Sequence, residues 1–406
     1  MFHINVALLG ISLSLCAIVT TGCGDNRQEL LHPDATVVAD GGVDGLAPTS
    51  EDASVDTTVP DTSYDTSVPS PPAFTPGPLK LYTVKSAIKR NAVCNDGSPA
   101  KYYARLGSGT HASKWIIHLK GGASCWKESG CADRWISDPQ LMSSKSFAQT
   151  KTGTGIFSQD AQRNPDFYNW NHVYLNYCSS DKWAGDQGAS PETYNWHFRG
   201  KAIVKAVMKD LMKFDTTQNL ASATEVLLTG SSAGGSGVKF NLDLLATSLP
   251  QASVKGVLDS SYGGGIEDVL PPNPVKDDWV LQGQVAIWNP EPDASCMAAL
   301  NDQASCIDPN VIFSHISTPY FVFVDQHDVL ATGKYNGDAT LIAAHAENVR
   351  QALQALPGAF STRKSFHTAL MKSPRFFGEN VQKVNYATVL GNWYFSRPGP
   401  TNVIKP

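Results

Sequence analysis

The sequence predicts an α/β fold: a mostly parallel sheet covered on both faces by helices. Three observations carry this. Short, nearly continuous apolar runs recur at Trp115–Leu119, Val173–Tyr177, Val226–Leu228, Val254–Leu258 and Tyr320–Val324. Such runs suit strands buried on both sides. Between and after them lie helical periodicities, at Ile203–Phe214, Val238–Leu245, Leu341–Leu356 and Val381–Phe395. Strands that alternate with helices build parallel sheets. Finally, the residues with chemical potential follow the runs directly, as they do when a site gathers at the carboxyl ends of strands.

The first element is not part of that fold. Residues 6–19 are uncharged and apolar, too short for a comfortable membrane span and long enough for the core of a signal peptide. Thr20-Thr21-Gly22-Cys23 then places small residues ahead of a cysteine, as a bacterial lipobox does. We therefore expect a signal peptide at 1–22, lipidation of Cys23, a membrane partner reached through that anchor, and export in either case. From 23 to 79 the chain is rich in Asp, Thr, Ser, Pro and Gly, with too little apolar surface to offset the entropy of ordering. It is expected to be a tether, leaving 80–406 as one folded domain. From Gly24 to Leu79 there are ten acidic residues against a single Arg, whereas the whole chain carries −5, so the remainder holds a balance of +4. That excess would suit a polyanionic substrate but reads rather as a dispersed solvated surface, and no nucleic-acid partner is expected.

Within the folded part, Gly121-Gly122-Ala123-Ser124 follows the run Trp115–Leu119. Two glycines let backbone amides approach a substrate, and the N–H groups of Gly122, Ala123 and Ala233 are the expected oxyanion-hole donors. Further on, Gly230-Ser231-Ser232-Ala233-Gly234 stands between the run Val226–Leu228 and the helical stretch Val238–Leu245. A G-x-S-x-G in a strand-turn-helix context is a nucleophile elbow, which makes Ser232 the expected nucleophile.

A serine needs a base, and the base needs an orienting acid. In this fold the order along the chain is Ser, then Asp or Glu, then His. Beyond Ser232 the histidines are His315, His327, His345 and His367. The first two precede Asp328, and His345 sits in a helical stretch where a packed or surface role is expected. His367, in a loop after Pro357-Gly358, is the expected base. Asp325 and Asp328 both follow Tyr320–Val324; Asp328 stands one short loop further, where it can lean toward a histidine, while Asp325 would orient the turn. Asp259, ending Val254–Leu258, is a third carboxylate near the same sheet face; it reads as a turn former and is the weaker candidate for the triad acid.

Outside Cys16 and Cys23, six cysteines remain. In an oxidising compartment an even number predicts disulfides, and six allow fifteen connectivities. Short separations favour Cys125–Cys131 and Cys296–Cys306, leaving Cys94 with Cys178. No metal-ligand spacing accompanies them, so neither metal nor cofactor is expected. Nothing in the sequence sets an oligomeric state.

Several segments together resemble the pectin acetylesterase family and its Notum branch of carboxylesterases. They are Cys94-Asn95-Asp96-Gly97-Ser98-Pro99-Ala100, Leu119 to Cys125, Thr152-Gly153-Thr154-Gly155-Ile156, Tyr177-Cys178-Ser179-Ser180-Asp181, Gly230 to Gly237 and Trp288-Asn289. The resemblance implies an α/β-hydrolase domain, metal-independent and disulfide-stabilised, with a Ser-Asp-His triad. Ser232 matches its nucleophile, and the family's spacing from Pro319 lands on Asp328. Ser365-Phe366-His367 matches its histidine loop, with a shorter spacing and without the family's cysteine. Where Notum-like enzymes continue the Gly-Gly turn with bulky aromatics, this chain has Ala123-Ser124, which shrinks the apolar wall of an acyl pocket. The expected activity is therefore hydrolysis of an acyl ester, with an acetylated extracellular polysaccharide such as pectin as substrate. A fatty-acyl ester or a lipidated protein is the second expectation. A non-catalytic glycan-binding surface protein on the same fold is the third.

Overall fold

A computed structural model describes residues 77–264, 269 and 274–406. The expected signal peptide, Cys23 and nearly all of the expected tether lie outside the described residues. Twelve strands are formed: β1 (Leu79–Thr83), β2 (Lys101–Arg105), β3 (Lys114–Leu119), β4 (Thr150–Lys151), β5 (Asn171–Leu175), β6 (Glu225–Ser231), β7 (Ser253–Asp259), β8 (Tyr320–Phe323), β9 (Ala359–Ser361), β10 (Asn380–Val381), β11 (Val384–Asn385) and β12 (Asn402–Ile404). Ten of them make one sheet in the order β4-β1-β2-β5-β3-β6-β7-β8-β9-β12. From β5 to β12 every pairing is parallel, and only the edge formed by β2, β1 and β4 is antiparallel. The chain has an α/β fold with a mostly parallel sheet, as the apolar runs predict, and this is the architecture the family resemblance implies.

The helices are α1 (Glu128–Ser137), α2 (Gly200–Leu211), α3 (Ala233–Ser248), α4 (Pro274–Trp288), α5 (Ala294–Leu300), α6 (Gln303–Ile307), α7 (Val329–Thr332), α8 (Ala339–Gln354), α9 (Ser373–Gly378) and α10 (Tyr386–Phe395). Successive side chains on a strand point to opposite faces, and the two faces have separate cores. Trp115, Ile117 and Leu119 of β3 and Val226 and Leu228 of β6 pack on Val204, Val207 and Leu211 of α2 and Val238, Leu242 and Leu245 of α3. Their neighbours Ile116 and Leu227 point the other way, onto Phe376 of α9 and Tyr386, Val389 and Leu390 of α10. A third cluster seats Val349 and Leu353 of α8 on Val322 and Ala359 of β8 and β9.

One expected helix begins later than its periodicity. Residues 380–385 form the β10–β11 hairpin, because Gln382 and Lys383 turn the chain at φ of 52° and 69°, and α10 starts only after Asn385. The Asn385 side chain accepts the amide of Thr388 at 2.9 Å, an N-cap that fixes the start.

Three disulfides join Cys94 to Cys178, Cys125 to Cys131 and Cys296 to Cys306, closing separations of 84, 6 and 10 residues. No helix among the described residues is long and apolar enough to cross a membrane.

Candidate active site

Because β3, β6, β7, β8 and β9 are parallel, their carboxyl ends share one edge of the sheet, and the loops leaving them meet there. Ser232 leaves β6 and stands at the N-cap of α3 with φ 56° and ψ −123°, a left-handed conformation uncommon for a residue with a Cβ. The elbow leaves no room for larger neighbours. A Cβ on Gly230 would lie 2.1 Å from the carbonyl oxygen of Gly234, and one on Gly234 would lie 1.9 Å from that of Leu119. Gly234→Ala is accordingly expected to cost about 3 kcal/mol or more in overpacking. A urea midpoint lowered at constant m-value checks it.

The Gly121-Gly122 turn passes directly over this elbow. A Cβ on Gly121 would meet the Ser231 carbonyl oxygen at 2.3 Å and the Ser232 Cβ at 2.8 Å. Gly122 has φ 144° and Ala123 φ 52°, conformations that tilt successive amides away from their usual strand directions. Among the described residues, the N–H groups of Gly122, Ala123 and Ala233 make no hydrogen bond. Ala233 is the first residue of α3, so its amide also carries the positive end of the helix dipole.

Asp328 and His367 are brought together. The imidazole Nδ1 lies 2.8 Å from Asp328 Oδ2 and 3.1 Å from Oδ1, and Oδ1 also accepts the Leu330 amide at 2.9 Å. Asp328 is buried, which strengthens the pairing. An ionised carboxylate is an acceptor only, so it places the ring proton on Nδ1 and leaves a lone pair on Nε2. That Nε2 is buried and has no hydrogen-bond partner. Ser232 Oγ makes no hydrogen bond to it here; a bond of this kind is often long before substrate binds.

Asp259, expected as a turn former or a weaker triad acid, makes no bond to the His367 ring and holds backbone and hydroxyl donors instead. Its Oδ2 accepts the Ser231 hydroxyl at 2.5 Å and the Leu370 amide at 3.1 Å, while Oδ1 accepts the Ala369 amide at 2.9 Å. Its carbonyl oxygen accepts the Ser232 amide at 2.7 Å, and the next residue, Ser260, takes the Thr368 amide on its hydroxyl at 3.0 Å. One fully buried residue thus ties the elbow to the loop that carries His367. Asp325 does the same for the other end of that loop, accepting the amides of Lys364 and Ser365 and the Thr362 hydroxyl, together with the His327 amide of its own turn. Arg375 completes the support, donating to the carbonyl oxygens of His367 and Thr368 at 2.9 and 2.7 Å. The role of Asp259 has no local signal, since its partners in this loop are about a hundred residues away in sequence.

Burial pushes the Asp259 carboxyl up to about 6, opposed by the bonds from Ser231, Ala369 and Leu370 and by the His367 charge. A carboxyl whose value rises on folding adds stability at low pH, and that stability is lost as pH climbs from the unfolded value of 3.8 through 6. Compared with Asp259→Asn, the native chain is therefore expected to gain up to about 3 kcal/mol between pH 7 and pH 4. Urea unfolding of both proteins across that range reads the difference.

His345, by contrast, is buried on α8 against Tyr335 and takes no part in the site. Among the described residues no three His, Cys, Asp or Glu side chains are grouped as metal ligands would be. A cavity of about 390 Å³ between residues 162–167 and the α9–α10 region contains none of the site residues.

Comparison with known proteins agrees with this architecture. A family model described as Pectinacetylesterase matches residues 75–370. The chain is 29% identical over 341 residues to palmitoleoyl-protein carboxylesterase notum2 of Xenopus laevis, covering 78% of this chain and 67% of that protein. It is 40% identical over 191 residues to palmitoleoyl-protein carboxylesterase notum1a of Danio rerio, covering 45% and 36% respectively. With pectin acetylesterase 5 of Arabidopsis thaliana it shares 32% over 267 residues, 64% of this chain and 60% of the plant protein. The chain thus spans from about a third to two thirds of these relatives' lengths.

Proposed function

The chain belongs to the pectinacetylesterase family, a family of carboxylic-ester hydrolases, and on that premise we propose that it cleaves an acyl ester through Ser232, His367 and Asp328. The observation that carries this reading is the Asp328–His367 bond at 2.8 Å, which leaves a buried, unpartnered Nε2 on a loop clamped to the Ser232 elbow through Asp259.

His367 Nε2 takes the proton of the Ser232 hydroxyl as Oγ attacks the ester carbonyl carbon. The carbonyl oxygen becomes an oxyanion, held by the N–H groups of Gly122, Ala123 and Ala233. Each such donor contributes about 3 kcal/mol to the transition state. The intermediate collapses, the C–O bond breaks, and His367 returns the proton to the leaving alcohol. Water, deprotonated by the same nitrogen, then attacks the acyl-enzyme and releases the acid with Ser232 restored. Asp328 holds the imidazole and stabilises its cationic form throughout.

As substrate we propose an O-acetylated extracellular polysaccharide such as pectin. Ala123 is exposed at the turn where bulky rings would wall a long acyl pocket, which supports a short acyl group. Export is part of the proposal: a signal peptide at 1–22, a tether at 23–79 anchored through Cys23, and the hydrolase domain at 80–406. Three disulfides support a chain that matures in an oxidising compartment. Palmitate incorporation in the native protein and its loss in Cys23→Ala checks the anchor.

A fluorophosphonate probe followed by peptide mapping tests the nucleophile; labelling equal in the native and Ser232→Ala proteins removes Ser232. Acyl release from acetylated pectin, acetylated xylan and a palmitoleoylated peptide tests the substrate. Activity confined to the palmitoleoylated peptide overturns the polysaccharide assignment.

A further inference from the structure

One helical turn past Ser232, about 6 Å along α3, lies a cavity of about 250 Å³ lined by Lys182, Ser236, Lys239, Ser261, Tyr262 and Pro309, among others. It adjoins the elbow directly: the Ser236 amide donates to the Ser232 carbonyl oxygen at 3.1 Å, and the Ser236 and Ser261 hydroxyls are 2.9 Å apart. Lys239 is only 4% exposed, yet its ammonium has no hydrogen bond or ion pair among the described residues. It lies 5.3 Å from the Phe313 ring, and Asp308 is the carboxylate that acts on it from beyond ion-pair distance. Lys182 is likewise unpaired, its ammonium 5.6 Å from the Trp288 ring. The loop presenting it is strained, with Ser180, Lys182 and Trp183 all at positive φ.

Lys182 is half-buried, and among the described residues the one other buried lysine is satisfied. Lys201, 2% exposed, donates to the Phe240 carbonyl oxygen at 2.7 Å on the same helical layer. Two ammoniums that line one cavity without an acceptor, one on a buried side chain and one on a half-buried one, present positive charge that an anion can pair. Burial and the Lys182 charge push Lys239 down to about 7, with Asp308 opposing, which is the direction expected of a cation whose partner is missing.

We propose that Lys182 and Lys239 form an anion subsite beside Ser232 that takes a carboxylate carried by the ester substrate. This rests on the reading of Ser232 as the nucleophile. The carboxylate has two chemical sources, a uronic-acid unit of the polysaccharide or the far end of a dicarboxylic acyl group. Both place a negative charge about one sugar ring from the scissile carbonyl.

The test measures kcat/KM for two substrate pairs: nitrophenyl acetate with nitrophenyl hemisuccinate, and acetylated xylan with acetylated polygalacturonate. The native chain is compared with Lys182→Met and Lys239→Met, which keep an unbranched side chain one heavy atom shorter and remove the charge. The native protein is expected to prefer the charged member of one pair at least about tenfold, and each variant to lower that ratio about tenfold. A change in the hemisuccinate ratio puts the carboxylate on the acyl group; a change confined to the polysaccharide ratio puts it on the sugar. Ratios that move in neither variant overturn the subsite. Should the native chain turn over no ester, the nucleophile reading falls alone, and the subsite is judged by calorimetric binding of trigalacturonate and succinate. Tenfold weaker binding of either in the doubly substituted chain retains it, and unaltered binding of both overturns it.

Discussion

Replacing Ser232 by Ala is expected to lower kcat for ester hydrolysis about a millionfold, because the proposed mechanism acylates its hydroxyl oxygen. His367→Ala is expected to cost about as much, and the double variant no more than either alone, since nucleophile and base act as one unit. What survives, roughly a thousandfold over water, belongs to the oxyanion donors and substrate binding. Initial rates on nitrophenyl acetate measure it. A loss below about tenfold in Ser232→Ala would assign the chemistry to another group. The strained φ of 56° at this position is no obstacle to the variant, because alanine carries the same Cβ as serine and meets the same neighbours.

Asp328→Asn is expected to reduce kcat about ten-thousandfold with little change in fold. The amide is nearly the same size, but turned toward His367 it can present an N–H where the carboxylate accepted, which favours the tautomer with its proton on Nε2. That nitrogen then cannot take the serine proton. Asp325→Asn makes an informative comparison. Asp325 touches no imidazole atom and instead holds backbone amides on both sides of the site, so its loss is expected in stability, by about 1–3 kcal/mol. Kinetics and urea unfolding on both variants separate the two carboxylates, three residues apart in the chain, by what each one does.

The parts of this protein legible in its sequence are those whose cause is local. Val226 to Leu245 contains a buried strand, a turn that tolerates only small residues and a helix, so the elbow can be read from a single stretch. Chain order then leaves His367 as the one loop histidine after Asp328. The antiparallel edge formed by β1, β2 and β4 was not legible, because short strands such as Thr150–Lys151 carry no periodicity. Val381–Phe395 reads as one helix because its apolar spacing continues across the Gln382-Lys383 turn, where two left-handed residues break it. Asp259 and the Lys182–Lys239 pair were invisible for another reason. Their meaning lies in partners brought near only by the sheet: Asp259 meets Ala369 across 110 residues, and of the two lysines one stands on the loop after β5 and the other on α3.

The disulfides divide the molecule into two regimes. Every one of them closes before residue 307, so among the described residues β8, β9 and β12 have no covalent cross-link to the rest of the sheet. Cys125 also lies three residues past Gly122, with its amide bonded to the Ser180 carbonyl oxygen at 3.0 Å. A reductant therefore acts on the half that carries the proposed oxyanion donors Gly122 and Ala123, whereas the half that carries the proposed base depends on hydrogen bonds and packing that thiols do not touch. Geometry at Ser232 is consequently answerable to two clocks: the slow one of sulfur exchange on one side, and on the other the fast opening of a loop pinned by two buried carboxyls.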